Sequence, residues 1–162
     1  MTNEAESVWR LRDARVELQS AEKNLAIREF VPAVHFAQLC VENAVKAVIA
    51  CFSEPEWGHN PGKQLRDILD DRRAQVVAIF GEDFLSEFLS LADAASKAAP
   101  WHVWSTYGKQ EPGKPRISAV DLCTEVVAQE MLTMAREAHR VADRFVTGWV
   151  KAAQQNDEGK RT

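Results

Sequence analysis

Between Pro32 and Phe52 the chain is apolar on every side but one. His35, Gln38, Glu42 and Lys46 recur at steps of three and four residues, which on a wheel of 100° per residue gathers them into an arc of about 80°. Almost everything else in the segment is Val, Ala, Phe, Leu, Cys or Ile. A helix of that composition has to be enclosed by neighbours, so this segment is the expected central packing element. The stripe itself has two readings. It is a solvated face carrying a Glu42–Lys46 pair in the favourable i, i+4 order, or it lines a groove shared with the last long helix or with a partner subunit.

The rest of the chain also reads with helical period. Gly and Pro cluster at Pro55–Gly62 and at Pro100–Pro115, and Gly81 stands alone between two periodic runs. Such residues punctuate helices, because Pro removes a backbone donor and Gly supplies positive φ. The spacing predicts helices over Glu4–Arg28, Pro32–Phe52, Lys63–Phe80, Glu82–Ala98 and Ser118–Gln155. The first turns Val8, Leu11, Leu18, Ala21 and Leu25 inward, and the last turns Val120, Cys123, Val127, Met131, Met134, Ala138, Val141, Phe145 and Trp149 inward. Ser118 and Asp121 form a capping-box pattern at the start of the last helix. The expected fold is all-α, an up-and-down antiparallel bundle of four to five helices over residues 1–152, with a polar tail over 153–162.

With 162 residues and 46% hydrophobic content, one domain buries enough surface to need no staple. Cys40, Cys51 and Cys123 are odd in number and sit in apolar helical patterns, which suggests free thiols in a reducing cytoplasm. The charged opening, Met1–Arg15, has no apolar h-region and reads as no secretory signal. Glu42 and Lys46 interrupt the longest apolar run, so no membrane span is expected. A net charge of −4 argues against a wholesale cationic coat for nucleic acid.

Several chemistries can be weighed against the spacing. Glu56 and His59 have the Glu-x-x-His step of di-iron bundles, but they fall in a Gly/Pro loop and there is no second copy, so no metal and no cofactor is expected. The cysteines read as core residues and not as nucleophiles. The segment from Ala99 to Arg116 reads as a loop. It holds Trp101, His102, Trp104, Tyr107, Lys109, Lys114 and Arg116, which could stack bases and contact phosphates, lid the bundle end, or bind a protein partner.

The segment Val34–Ala47 reads Val-His-Phe-Ala-Gln-Leu-Cys-Val-Glu-Asn-Ala-Val-Lys-Ala. It resembles the central helix of HEPN-domain proteins, which shows an aromatic-Ala-Gln-x-x-x-Glu-x-x-x-Lys-Ala pattern. The helix order on either side matches that family too, as does Tyr107-Gly108 ahead of the last long helix, where the family commonly has Arg-Tyr-Pro. The resemblance covers about Glu4 to Val150. It implies an up-and-down bundle, often dimeric, and frequently encoded beside a minimal nucleotidyltransferase in toxin–antitoxin pairs. Many members are metal-independent ribonucleases that use Arg, four to six residues, then His on a late helix, where the His moves protons. This chain departs from that motif. Thr106 stands at the loop Arg position, and Arg136 and His139 are only three apart. Arg28 and His35 match the spacing literally, but across the turn into the central helix.

The resemblance carries the family's Glu and Lys onto Glu42 and Lys46 and its Tyr onto Tyr107, as structural or groove-lining residues beside Gln38. The expected function is that of a non-catalytic HEPN-type module, cytoplasmic, which binds a second copy of itself, a nucleotidyltransferase-type partner, or a nucleotide or RNA. The alternatives are a ribonuclease built on Arg28 and His35, and a helical scaffold without a nucleic-acid role.

Overall fold

A computed structural model describes residues 3–159. The chain forms α1 (Asn3–Ala26), α2 (Phe30–Ala50), α3 (Gly62–Asp71), α4 (Arg73–Phe80), α5 (Glu82–Ala98), α6 (Pro100–Tyr107), α7 (Ala119–Leu122) and α8 (Glu125–Gly159). Among the described residues the only pairing outside helices is an isolated antiparallel bridge between Lys109 and Ile117.

Side-chain pairs give the topology. Arg136 reaches Glu22 and Arg28 reaches Glu125, so α8 runs antiparallel to α1. Arg140 meets Glu87, while Met134 lies by Ala94, so α8 is antiparallel to α5 as well. Cys40 meets Ala135 and Phe52 stacks near Phe145 and Trp149, so α2 and α8 run parallel. The long helices α1, α2, α5 and α8 are therefore the up-and-down bundle, with α2 and α8 touching across its diagonal. Small residues permit that approach: Ala37, Cys40 and Ala44 on α2 and Ala128, Ala135 and Ala142 on α8 are all fully buried, and the Cys40 Sγ lies 3.6 Å from the Ala135 carbonyl. α2 has the length and hydropathy of a membrane span, yet most of it is covered by α1, α8, α6 and α5.

Several boundaries differ from the periodic reading. The run Lys63–Phe80 breaks at Arg72, whose backbone leaves the helical region, into α3 and α4. The expected loop after Ala99 holds a helix, α6, with Pro100 in its first turn and Gly108 at φ 79° closing it. The Ser118 cap is real, but it starts the single turn α7: its Oγ accepts from the Asp121 amide. Cys123 then leaves the helical region at ψ 72°, and Thr124 Oγ1 accepts from the Val127 amide to cap α8. Val8 and Val120, expected inside, are 48% and 74% exposed. α8 continues through Gly159, and residues 160–162 of the expected tail lie outside the described residues. The three cysteines are free, with Cys40 and Cys123 buried.

Candidate functional site: a buried polar chain under three histidines

The stripe on α2 is not solvated. Gln38 is fully buried, and Glu42 and Lys46 are 8% and 7% exposed. Two segments cover them: the Gly/Pro-rich stretch 51–61, and α6, whose His102 and Ser105, three residues apart, reach Gln38 and His35 on α2. A buried charge is tolerated only when it is paired and hydrogen-bonded, and each partner here can be named.

Lys46 Nζ donates to Glu42 Oε1 at 2.8 Å and to the Gly58 carbonyl at 2.7 Å. Glu42 Oε2 accepts from Gln38 Nε2 at 3.0 Å and from His59 Nδ1 at 3.1 Å. Gln38 Oε1 in turn accepts from His102 Nδ1 at 3.2 Å. Both acceptors are oxygens without protons, so Nδ1 is the donor in each bond, and Nε2 of each ring makes no hydrogen bond. The His59 and His102 rings stack at 3.4 Å between centroids and 13° between planes. His35 lies 5.7 Å from the His102 ring, and its Nδ1 donates to Ser105 Oγ at 3.0 Å. No buried side-chain polar atom among the described residues lacks a partner.

The electrostatics follow from this packing. Burial alone would push the Glu42 carboxyl up, but the hydrogen bonds from Lys46, Gln38 and His59, with the charge on Lys46, hold it below the usual carboxylate range. His102 is lowered, first by burial and then by repulsion from His59, and burial lowers His35. Neutral imidazoles with a free Nε2 can accept protons or bind a metal.

Glu42, Lys46 and His59 also form one wall of an open cleft of about 630 Å³, with Arg10, Glu54 and Trp57 among its other lining residues. Arg10 is held by Glu6 and by Asn43. Trp57 stands at the cleft fully in solvent, 99% exposed.

The structure thus brings His35, Gln38, Glu42, Lys46 and His102 into one cluster. It puts Arg28 elsewhere: this residue takes the left-handed conformation at the end of α1 (φ 62°), donates to both oxygens of Glu125, and lies over the Phe30 ring. The loop cations, for which phosphate contact was one of the readings, are engaged close by. Lys109 lies over the Trp104 ring, Lys109 and Lys114 both pair with Glu111, and Arg116 donates to the Tyr107 carbonyl. Trp101 and Trp104 pack edge to face, and the Tyr107 side chain is exposed. Trp57 and Ser105 are the cluster and cleft residues that spacing did not single out. The Glu56-x-x-His59 step drew attention to His59, but its carboxylate partner is Glu42, while the Glu56 amide donates to Gln64.

Comparison with known proteins bears on this arrangement. A family model described as the HEPN domain matches residues 7–145. The crystal structure of TT1696 from Thermus thermophilus superposes with a TM-score of 0.63 at 21% identity, covering 90% of this chain and 99% of that one, a likeness of fold. No curated protein matches.

Proposed function

The chain belongs to the HEPN domain family, and from that premise we propose that it is a binding module for a nucleotide or a single-stranded RNA, seated in the cleft beside α2. The observation that carries this reading is the fully exposed Trp57 at the cleft that Glu42, Lys46 and His59 wall. An exposed indole is a stacking platform for a base. Carboxylates such as Glu54 accept hydrogen bonds from exocyclic base amines, while Arg10 at the cleft wall supplies a cation. In this reading the module is non-catalytic and cytoplasmic, and it assembles with a second copy or with a nucleotidyltransferase-type partner in a toxin–antitoxin setting. Support for a partner face comes from Ile27, Val120 and Val126, all exposed apolar residues near the end of the bundle that the Arg28–Glu125 pair ties together.

Fluorescence anisotropy with labelled single-stranded RNA and with mononucleotides tests the reading. Trp57→Ala should weaken binding by about 1–3 kcal/mol, the value of one stacked base. Equal binding by Trp57→Ala and the parent chain would refute it. Light scattering reads the oligomeric state in the same samples.

One observation favours a second reading. Three imidazoles meet over a buried carboxylate, and metal-independent RNA cleavage needs an acid and a base of that kind. RNA incubated in chelator with the parent chain, His35→Ala and His102→Ala separates the two: cleavage that either variant abolishes would make the module an enzyme.

A further inference from the structure

We infer that Glu42, His59 and His102 form a binding site for one borderline divalent transition-metal ion, of the Zn²⁺ kind. One ligand atom from each residue lies within 4.8 Å of the others. The donors come from three separate parts of the fold, namely α2, the 51–61 stretch and α6, so the fold itself assembles the set. Two imidazoles and one carboxylate are what such ions take, whereas Ca²⁺ and Mg²⁺ require mostly oxygen.

Three details of the cluster support the assignment. First, Lys46 occupies Oε1 of Glu42, so the carboxylate presents its other oxygen, Oε2, to the histidines as a monodentate ligand. Second, the 3.1 Å between Glu42 Oε2 and His59 Nδ1 suits two ligands on one small ion as well as it suits a hydrogen bond. The ion takes the place of the Nδ1 proton, which leaves to solvent. Third, His59 and His102 lie side by side, their rings nearly parallel with centroids 3.4 Å apart, so rotation of the two rings out of that stack points one in-plane lone pair of each at a common ion. Gln38, bonded to both Glu42 and His102, supplies the outer support that orients metal ligands.

Three protein donors leave a tetrahedral ion one open position for water or a ligand. The site stands on its own donors and does not depend on the nucleotide reading, since metal binding and RNA binding are measured separately.

Calorimetric titration of the chelator-stripped chain with ZnCl₂ tests the site, with CoCl₂ absorption reporting the geometry. The expected result is one ion per chain and the visible bands of four-coordinate Co²⁺. His59→Ala and His102→Ala should each weaken Zn²⁺ binding at least about tenfold. His139→Ala, on α8 and outside the cluster, should leave it unchanged. His59 is half exposed and makes one side-chain hydrogen bond, so its removal leaves the fold intact even if a Glu42 variant fails to fold. Absence of a stoichiometric site, or binding that survives the loss of both His59 and His102, would overturn the assignment.

Discussion

Replacing Lys46 by Met removes a charge from the centre of the molecule while keeping the length of the side chain. The ammonium makes two short hydrogen bonds, to Glu42 Oε1 and to the Gly58 carbonyl, and both members of the ion pair are over nine-tenths buried. Breaking a buried pair by removing one partner costs about 3–5 kcal/mol, because the remaining charge stays desolvated. Gln38 and His59 still donate to Oε2, so the loss should fall at the lower end, about 3 kcal/mol. For a domain of this size that corresponds to a fall of roughly 6–12 °C in Tm. The pH dependence should change sign as well. In the parent chain the folded-state value of Glu42 is depressed, so its contribution is present above the unfolded carboxylate range and is lost as pH falls through the folded value. Without Lys46, burial dominates and raises the carboxyl, so Lys46→Met should lose more stability at pH 8 than at pH 5. Glu42→Gln combined with Lys46→Met should recover most of the deficit, since no charge is then stranded. Urea unfolding at the two pH values measures all three. A loss below about 0.5 kcal/mol for Lys46→Met, which is the scale of an exposed pair, or a double variant no better than the single one, would refute the reasoning.

Three other outcomes follow from the packing. Burial pushes the Glu17 carboxyl up to about 7 against the ordinary 4.5, with Asn43 donating to both its oxygens; because the folded value is raised, its contribution is full below the unfolded value and is lost as pH rises through 7. Glu17→Gln, which retains an acceptor for Asn43, should therefore stabilise the chain at pH 8 by about 1 kcal/mol after allowance for solvent screening, and should flatten the Tm profile between those pH values. A Cβ at Gly148 would stand 2.5 Å from Phe80 Cε1, and Phe80 is wedged against Phe88 and Phe145; Gly148→Ala should cost about 1–2 kcal/mol in urea despite the better helix propensity of Ala. Burial raises Cys51 to about 12, Cys123 to about 11 and Cys40 further still, so Ellman's reagent at pH 8 should find no fast thiol in the native chain and three in denaturant.

The central position of α2 was legible because enclosure leaves a local mark: only a surrounded helix can be apolar on all sides but one. α6 left no such mark. It is eight residues long, rich in aromatic and β-branched residues, and bracketed by Pro100 and Gly108, so its local pattern reads as a loop; its helix is stabilised where His102 and Ser105 meet α2. The Ser118 N-cap forms, but on α7 and without the reciprocal half of a capping box, since the Asp121 carboxylate accepts from the Ser118 hydroxyl; nothing in the spacing reveals that Cys123 turns away before Thr124 starts α8. Arg28 and His35 have the right separation along the chain, yet Arg28 answers to Glu125, 97 residues distant. Long-range partners of that kind are not encoded in local period.

The polar stripe shows the same limit at the site itself. Gln38, Glu42 and Lys46 at helical steps look alike whether water or protein covers them, and the choice between the two readings lay in residues far along the chain: Gly58 and His59 on one side, His102 on the other. Once those residues cover it, the stripe is costly. A buried ion pair is commonly no more stabilising than apolar side chains of the same volume, and the α2–α8 contact close by is filled with alanine. Packing alone therefore gives this helix no reason to keep a carboxylate, an ammonium and an amide in its interior. What the polar chain does accomplish is to hold two imidazoles beside the Glu42 carboxylate, with His59 at the wall of an open cleft. That is the arrangement a ligand site requires and a bundle core does not.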